Sequence, residues 1–430
     1  MAATRRLRWT PSKPRWAPRA LLIFSDLKQF VADNRGNWRR PEVLFILVGI
    51  ATAISTNTWQ VLLNNFAIDE IGFTGVEIGF LQSMREVPGF LSFAVVFLLL
   101  ILREQPLLMV SLLTLGIGTA LTGMFPTVVG LYCLTVLTSI GFHYYEAVSQ
   151  SLILQWIDKK KSPHFFGQLM AIGSFAALIV FGLIYLARTQ FNVDLKWMYL
   201  ASGGVTILIT ILIWIGFPRF PEKSEQNKKL TLKPQYWLFY CLTFMAGARR
   251  QIFFVFAGFM MVEKFGYQPE DIALMFLANT ALNIVVAPLI GKMIGQWGER
   301  KTLIIEYAGL IAIFIGYAFV EVAWIAVALY ILDHMFFAMR IAIKTYFQKI
   351  ADTKDIASSM GVSFTINHTA AVVIPAAFGL IWVVSPSAVF FAGAGMAVVS
   401  MILGLLVPSM PTQENVAIVG RYRVAPEPAE

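Results

Sequence analysis

Charge is scarce in this 430-residue chain. Asp, Glu, Lys and Arg make up 14% of it, against 57% hydrophobic residues, and the mean hydropathy is +0.69. A soluble protein of this length needs more charge than that to cover its surface. Cysteine is nearly absent: Cys133 and Cys241 both fall inside apolar runs, which excludes a disulfide framework and a cysteine-based metal site. Also missing are a Gly-x-Ser-x-Gly elbow, a His-Glu-x-x-His motif and a phosphate-binding loop. Neither enzymatic chemistry nor ATP-driven pumping has residues to stand on, and no cofactor is implied.

Apolar runs of about 20 residues, each long enough to span a bilayer as a helix, recur along the chain. They fall near 43–63, 78–102, 106–126, 127–154, 165–187 and 195–217, then near 236–262, 271–294, 302–320, 322–347, 360–382 and 386–408. Between the two sets lies the polar stretch "PRFPEKSEQNKKLTLKPQ". The expected organisation is a basic N-terminal tail (1–42), a six-helix bundle (43–217), a linker (218–235), a second six-helix bundle (236–408) and a C-terminal tail (409–430).

The net charge of +9 does not point to nucleic acid, because its placement follows the membrane. Arg5, Arg6, Arg8, Lys13, Arg15, Arg19, Lys28, Arg35, Arg39 and Arg40 crowd the first forty residues. The same side holds Arg103, Lys159–Lys161, Lys223–Lys233, Arg300–Lys301 and Lys349–Lys354, so both termini are expected to be cytoplasmic. Within the tail, "LLIFSDLKQFVADN" has the composition of a short amphipathic helix on an anionic leaflet, or of a plain orienting tail.

The halves look related. "FGQLMAIGSFAALIV" aligns with "MGVSFTINHTAAVVI" at an offset of 194, and the same offset sets Gly72-Phe73 on Gly266-Tyr267 and Glu77-Ile78 on Asp271-Ile272. Parallel repeats of this kind place a substrate site between the halves near the midplane.

This layout, with "GKMIGQWGERK" between the eighth and ninth segments, resembles the major facilitator superfamily of secondary transporters. The resemblance implies an all-α polytopic membrane protein of twelve transmembrane helices in two pseudo-symmetric bundles. It implies a conformational lock at Gly291, Gly298, Arg300 and Lys301, which match the family's loop motif. Gly295 stands where the family has an acid and Gln296 where it has its first arginine. "LREQPLL" after span two lacks the motif, and span five lacks the Gly-Pro pattern of drug–proton antiporters.

Charges inside the membrane are costly and mark partners or a watery pathway. Arg249 and Arg250 lie about 20 Å into span seven at 1.5 Å per residue. Neighbours on a helix diverge by about 100°, so one is expected to face the cavity and the other a neighbouring helix. In span ten, Asp333, Arg340 and Lys344 are spaced by seven and four, which sets them on one face beside His334. His143, Glu146 and Gln150 repeat that pattern in span four. The resemblance makes spans one, four, seven and ten the cavity-lining helices. Asn57, Gln60 and Asn64 in span one, and Asn279 and Asn283 in span eight, are further polar candidates, or interhelical hydrogen-bond partners. Arg85 and Glu86 form a charge network or merely hold the bundle, and Asn367 and His368 suit packing or gating.

Arg85, Arg249, Arg250, Arg340 and Lys344 oppose Glu86, Glu146 and Asp333, five against three. This surplus of two positive charges favours an anion, and an arginine fork suits a carboxylate or phosphate. The expectation is a secondary transporter that moves a small organic anion by alternating access. Glu146, His143, Asp333 and His334 would couple protons, and Arg249, Arg250, Arg340, Asn57, Asn64, Asn279 and Asn283 would bind solute. The alternatives are a proton-driven exporter of lipophilic or cationic compounds, a soft-metal transporter using Met335 and Met339 beside His334, and a non-transporting receptor or assembly factor. The partners expected are a small solute, the lipid bilayer and protons. No nucleic acid or resident metal is expected, and the setting is a monomer in a bacterial inner membrane.

Overall fold

The computed structural model describes residues 38–91, 95–99, 101–157, 162–221, 232–352 and 355–419. The amphipathic segment of the N-terminal tail and most of the basic linker lie outside these residues. Span one is Pro41–Asn65, prolonged by a π-helical turn at Phe66–Ile71. Span two is Gly75–Phe90 followed by Val95–Leu98; spans three to six are Glu104–Thr122, Val128–Trp156, Ser162–Phe191 and Leu195–Gly216. Span seven runs from Trp237–Gln251 through a π-helical turn at Ile252–Ala257 into Gly258–Glu263. Spans eight and nine are Pro269–Trp297 and Glu299–Phe319, and span ten is broken into Ala323–Ala338 and Ile341–Ile350. Ile356–Val384 and Pro386–Leu405 complete the set.

Ten of these helical stretches are long and apolar enough to cross a bilayer. Spans two and eight are not among the ten, and residues 92–94 of span two lie outside the described set. Leu183 and Ile215, at 60% and 79% exposed on spans five and six, are the outward faces that lipid would cover.

Span two starts three residues before the expected 78 because its first turn is capped. The Thr74 hydroxyl accepts the Val76 N–H at 3.3 Å, and the Glu77 carboxylate accepts the Thr74 N–H at 2.9 Å. This is a capping box written in the sequence as Thr-Gly-Val-Glu.

In the first half, span one packs on five and six, span three on four and six, and span two on four. In the second half, span seven packs on eleven and twelve, span nine on ten and twelve, and span eight on ten. The halves meet through spans two and eleven and through spans five and eight. Exchanging the halves turns one of these pairs into the other, as a duplicated unit requires.

Glycine makes the first of these contacts possible. A Cβ on Gly79 would sit 3.0 Å from the Gly379 Cα, and closer still to the Pro375 carbonyl oxygen. Bare backbones therefore touch across the halves. Pro375 lies inside span eleven. The next N–H, of Ala376, donates across the interface to the Ser83 hydroxyl at 2.9 Å, so a neighbouring helix satisfies the disturbed backbone.

Candidate functional site

The halves close against each other at the ends of spans one, five, seven, eight and eleven, on the side away from the tails. There the Asn65 amide donates to the Tyr267 carbonyl at 2.8 Å, and Arg188 meets Glu270 at 3.2 Å. Phe181 and Phe276 stack edge-on at 5.7 Å. Toward the tails a cavity of about 580 Å³ separates spans one, four and five from Thr280 of span eight.

Between these regions lies a cavity of about 330 Å³ walled by spans one, two, four, seven and eleven. Glu86 is its best-connected group. It lies eleven residues along span two from Gly75, about 16 Å from that end, and is 4% exposed. One carboxylate oxygen meets Arg85 at 2.6 Å; the other meets Nδ1 of His368, from the opposite half, at 2.9 Å. The Arg85 guanidinium lies 5.7 Å from the Trp59 ring, and the Ser139 hydroxyl donates to the Arg85 carbonyl. His143 meets His368 edge-on at 5.2 Å between ring centres. Its Nδ1 lies 3.0 Å from both the carbonyl and the hydroxyl oxygen of Ser139.

Glu86, His143 and His368 bring three possible metal-ligating atoms within 4.8 Å of one another. Both Glu86 oxygens are already engaged, and a dication there would lie beside an arginine that pairs with the same carboxylate. Glu86 and His368 form a hydrogen bond across the two halves, and the group fits a metal poorly.

The two arginines of span seven part company. Arg250 lines the central cavity, together with Glu146, Phe142, Phe254, Phe364 and Trp59, and forms no ion pair among the described residues. Glu146 accepts only a long hydrogen bond from Gln150, 3.4 Å, and it too lacks a basic partner within ion-pair distance among the described residues. Arg249 turns to span nine. Its guanidinium lies 3.7 Å from a Glu306 oxygen and 4.6 Å from the centre of the Tyr307 ring, and both Arg249 and Glu306 are almost fully buried. A π-helical turn begins two residues after Arg250, and such turns re-aim side chains within an otherwise regular helix.

The span-ten stripe is interrupted. The helix stops at Ala338 and resumes at Ile341, so Lys344 leaves the face of Asp333 and Arg340 and is exposed. Lys344 therefore does not join the charge network expected of it. Asp333 is 2% exposed and shares a small pocket with Arg249, Glu306 and Arg340. Arg340 stacks on Phe337 at 4.0 Å.

Other candidates stand away from the central cavity. Asn57 donates to the Ala53 carbonyl at 2.7 Å and lines the tail-side cavity with Gln150. Asn64 approaches Gly258, and Asn283 reaches Asn279 at 3.5 Å on span eight. His334 is enclosed by Tyr330 and Phe253, at 4.7 and 4.9 Å between ring centres. At the expected lock, Gly298 joins spans eight and nine with a φ of 78°, a conformation that suits glycine. Gly291 lies in span eight, Arg300 is half-buried and Lys301 exposed. The ion pair at this corner is instead Lys349 with buried Glu299, at 2.7 Å.

Sequence reading missed Glu306, Glu299, Trp59 and Ser139. Glu299 and Glu306 are seven residues apart on one helical face, a signal obscured by their closeness to the basic loop at Arg300–Lys301. Counting Glu306 and removing exposed Lys344 changes the ledger. Counted once each, Arg85, Arg249, Arg250 and Arg340 oppose Glu86, Glu146, Glu306 and Asp333 across the two compartments, four against four, Arg250 bordering both. The surplus expected from the sequence is not found in the two together.

The profile of the Major Facilitator Superfamily matches residues 44–375. No curated protein gives a significant sequence match. Among solved structures, the nucleoside transporter NupG (D323A mutant) superposes with a TM-score of 0.70 at 13% identity, covering 85% of this chain and 98% of its own. A bacterial homologue of the human lysosomal transporter Spinster, in an inward-facing and occupied conformation, superposes with a TM-score of 0.71 at 13% identity, covering 89% of this chain and 98% of its own. At such identities the likeness concerns fold alone, but the matched profile covers most of the membrane region. This chain belongs to the major facilitator superfamily.

Proposed function

We propose that the protein moves a small organic monoanion with an aromatic or amphipathic body across the bacterial inner membrane, together with a proton. The observation that carries this reading is Arg250, a guanidinium without a carboxylate partner within ion-pair distance among the described residues, in a cavity also lined by Phe142, Phe254, Phe364 and Trp59. A planar guanidinium donates two parallel hydrogen bonds to a carboxylate, and the rings accept the rest of the solute. The cavity's charges balance as long as Glu146 is ionised. A proton on Glu146 leaves the lining at a net of one positive charge, which a monoanion neutralises, so anion and proton enter together without charging the low-dielectric interior.

With the tails cytoplasmic, the larger cavity toward them makes this an inward-open state and the glycine-sealed end the closed outer gate. The protein then works as a monomer by rocking one half against the other.

Benzoate serves as the probe in a thermal-shift titration of the detergent-purified protein. At about 100 times its dissociation constant a ligand adds about 2.7 kcal/mol of stability. Arg250→Gln should abolish the benzoate shift while the variant stays monodisperse. The same titration tests a second reading, export of lipophilic cations, which Glu146, without a basic partner in ion-pair range among the described residues, favours. A shift with tetraphenylphosphonium that Arg250→Gln leaves intact, and none with benzoate, would replace the anion reading.

A further inference from the structure

The buried pocket behind the central cavity is too small for any solute. It encloses about 10 Å³, at or below what one water needs. Its walls nevertheless carry five ionisable side chains: Arg249 and Arg250 of span seven, Glu306 of span nine, and Asp333 and Arg340 of span ten. Their pairing is incomplete. One contact, Arg249 to Glu306 at 3.7 Å, falls within ion-pair range and is too long for a hydrogen bond. The second oxygen of Glu306, the Nη1 of Arg249 and the Tyr307 hydroxyl have no hydrogen-bond partner among the described residues, and all three groups are more than nine-tenths buried. Asp333, 2% exposed, makes no ion pair or side-chain hydrogen bond there either. Arg340 rests on the Phe337 ring.

Other titratable groups near these two acids are Tyr307 and Tyr317 on span nine and Tyr330 and His334 on span ten. Span twelve, which packs along span nine, contains none. Two ionised carboxylates here, sharing one long ion pair and no hydrogen-bond donor, are costly to hold together. A metal cation would face three guanidiniums and too few oxygens. A proton needs no room, removes the charge and supplies the missing donor.

We infer that Glu306 and Asp333 form a second proton-binding site, outside the solute cavity and coupled to it through the consecutive residues Arg249 and Arg250. One carboxylate takes up a proton from hydronium, releasing water, and becomes a neutral carboxylic acid. Arg250 borders both compartments and Arg249 is its chain neighbour. Protonation leaves the pocket with one uncompensated guanidinium charge next to Arg250, which strengthens anion binding in the cavity. An anion on Arg250 in turn favours the proton by the same factor, expected to lie in the range of about 5–150-fold for coupled sites. This coupling rests on the anion reading above, but the proton site itself does not.

The test removes the cavity carboxyl first. Glu146→Gln protein is reconstituted on a solid-supported membrane and given pH jumps without any solute, and the charge displaced is recorded. A signal is expected, and adding Asp333→Asn or Glu306→Gln should abolish it. Both replacements keep the shape of the side chain, and a monodisperse gel-filtration peak confirms folding. A silent Glu146→Gln protein, or a signal that survives both added replacements, overturns the second site. Benzoate binding to Glu146→Gln protein should tighten about 5–150-fold as pH falls, and become pH-independent in Glu146→Gln/Asp333→Asn. Persistent pH dependence in that double variant would overturn the coupling. Failure of benzoate to bind at any pH would reject the anion reading and leave the pH-jump result standing.

Discussion

Replacing Gly79 by valine should open the end of the molecule that is now shut. Spans two and eleven touch there through backbone, with the Gly379 Cα 3.0 Å from the place a Gly79 Cβ would occupy and the Pro375 carbonyl nearer still. The obstructing atoms are main chain, so no side chain can swing aside. Over-packing of this kind costs about 1–3 kcal/mol. The cost applies only to the conformation in which the two spans are apposed. At 1.4 kcal/mol per tenfold, the equilibrium should move away from the state closed at this end by about 5- to 150-fold.

Spin labels at Glu70 and Val322 report this movement. Both positions are exposed, on opposite halves and on the sealed side. Cys133 and Cys241 are exposed and must first be replaced. Double electron–electron resonance on the Gly79→Val protein should show a longer-distance population that the parent lacks or holds only as a minor species. Gly379→Val, which attacks the same contact from span eleven, should act alike. Unchanged distance distributions in both folded variants would refute the claim that this glycine contact seals the end away from the tails.

Four further outcomes are expected. Arg188→Ala removes a partly exposed ion pair between the halves, so it should weaken the same seal by no more than about 1 kcal/mol, read from the same label pair. Thr74→Ala loses the cap of span two and should lower stability by about 1 kcal/mol in thermal unfolding. Glu306→Ala strands the buried Arg249 guanidinium and should cost about 3–5 kcal/mol, much of it regained in Arg249→Met/Glu306→Ala, because removing both charges avoids the unpaired one. In wild-type protein, benzoate affinity should rise as pH falls, since the neutral form of Glu146 is the one that leaves the cavity positive. Glu146→Gln should bind benzoate more tightly at alkaline pH than wild type does, and equal affinities there would remove Glu146 from the mechanism.

Much of the fold was legible because bilayer physics writes itself into composition. Twelve apolar runs and an internal offset were enough to expect two related bundles, and the paired contacts of spans two with eleven and five with eight accord with that duplication. Side-chain direction was less legible. Helical spacing assigned Asp333, Arg340 and Lys344 to one face, but the break after Ala338 rotates Lys344 away. No proline or glycine lies at that break to announce it. Glu306 was missed altogether: it lies only five residues beyond Lys301 of the basic loop, yet it is 1% exposed. The divergence of Arg249 and Arg250, by contrast, follows from the helical repeat alone. Only their assignment to the two faces needed the neighbours, because each helix face is defined by what packs on it.

The corrected ledger changes why an anion is expected. A summed surplus of positive charge would attract any anion and would give little selectivity. With the two compartments balanced together, preference depends on which charges are already committed. Glu86 is held by Arg85 and His368, and Arg249 leans on Glu306. Arg250 and Glu146 are the cavity charges left without an ionic partner among the described residues. These two define what a solute must satisfy: an acceptor for one, and a proton or a cation for the other. The Glu86–His368 bond joins the two halves, so it must break for one to rock away from the other. A solute seated on Arg250 lies in the same cavity as the bond that holds the halves together there. The charges left for recognition and the bond between the halves line one cavity, so replacing Glu86 or His368 should alter affinity and conformational equilibrium together.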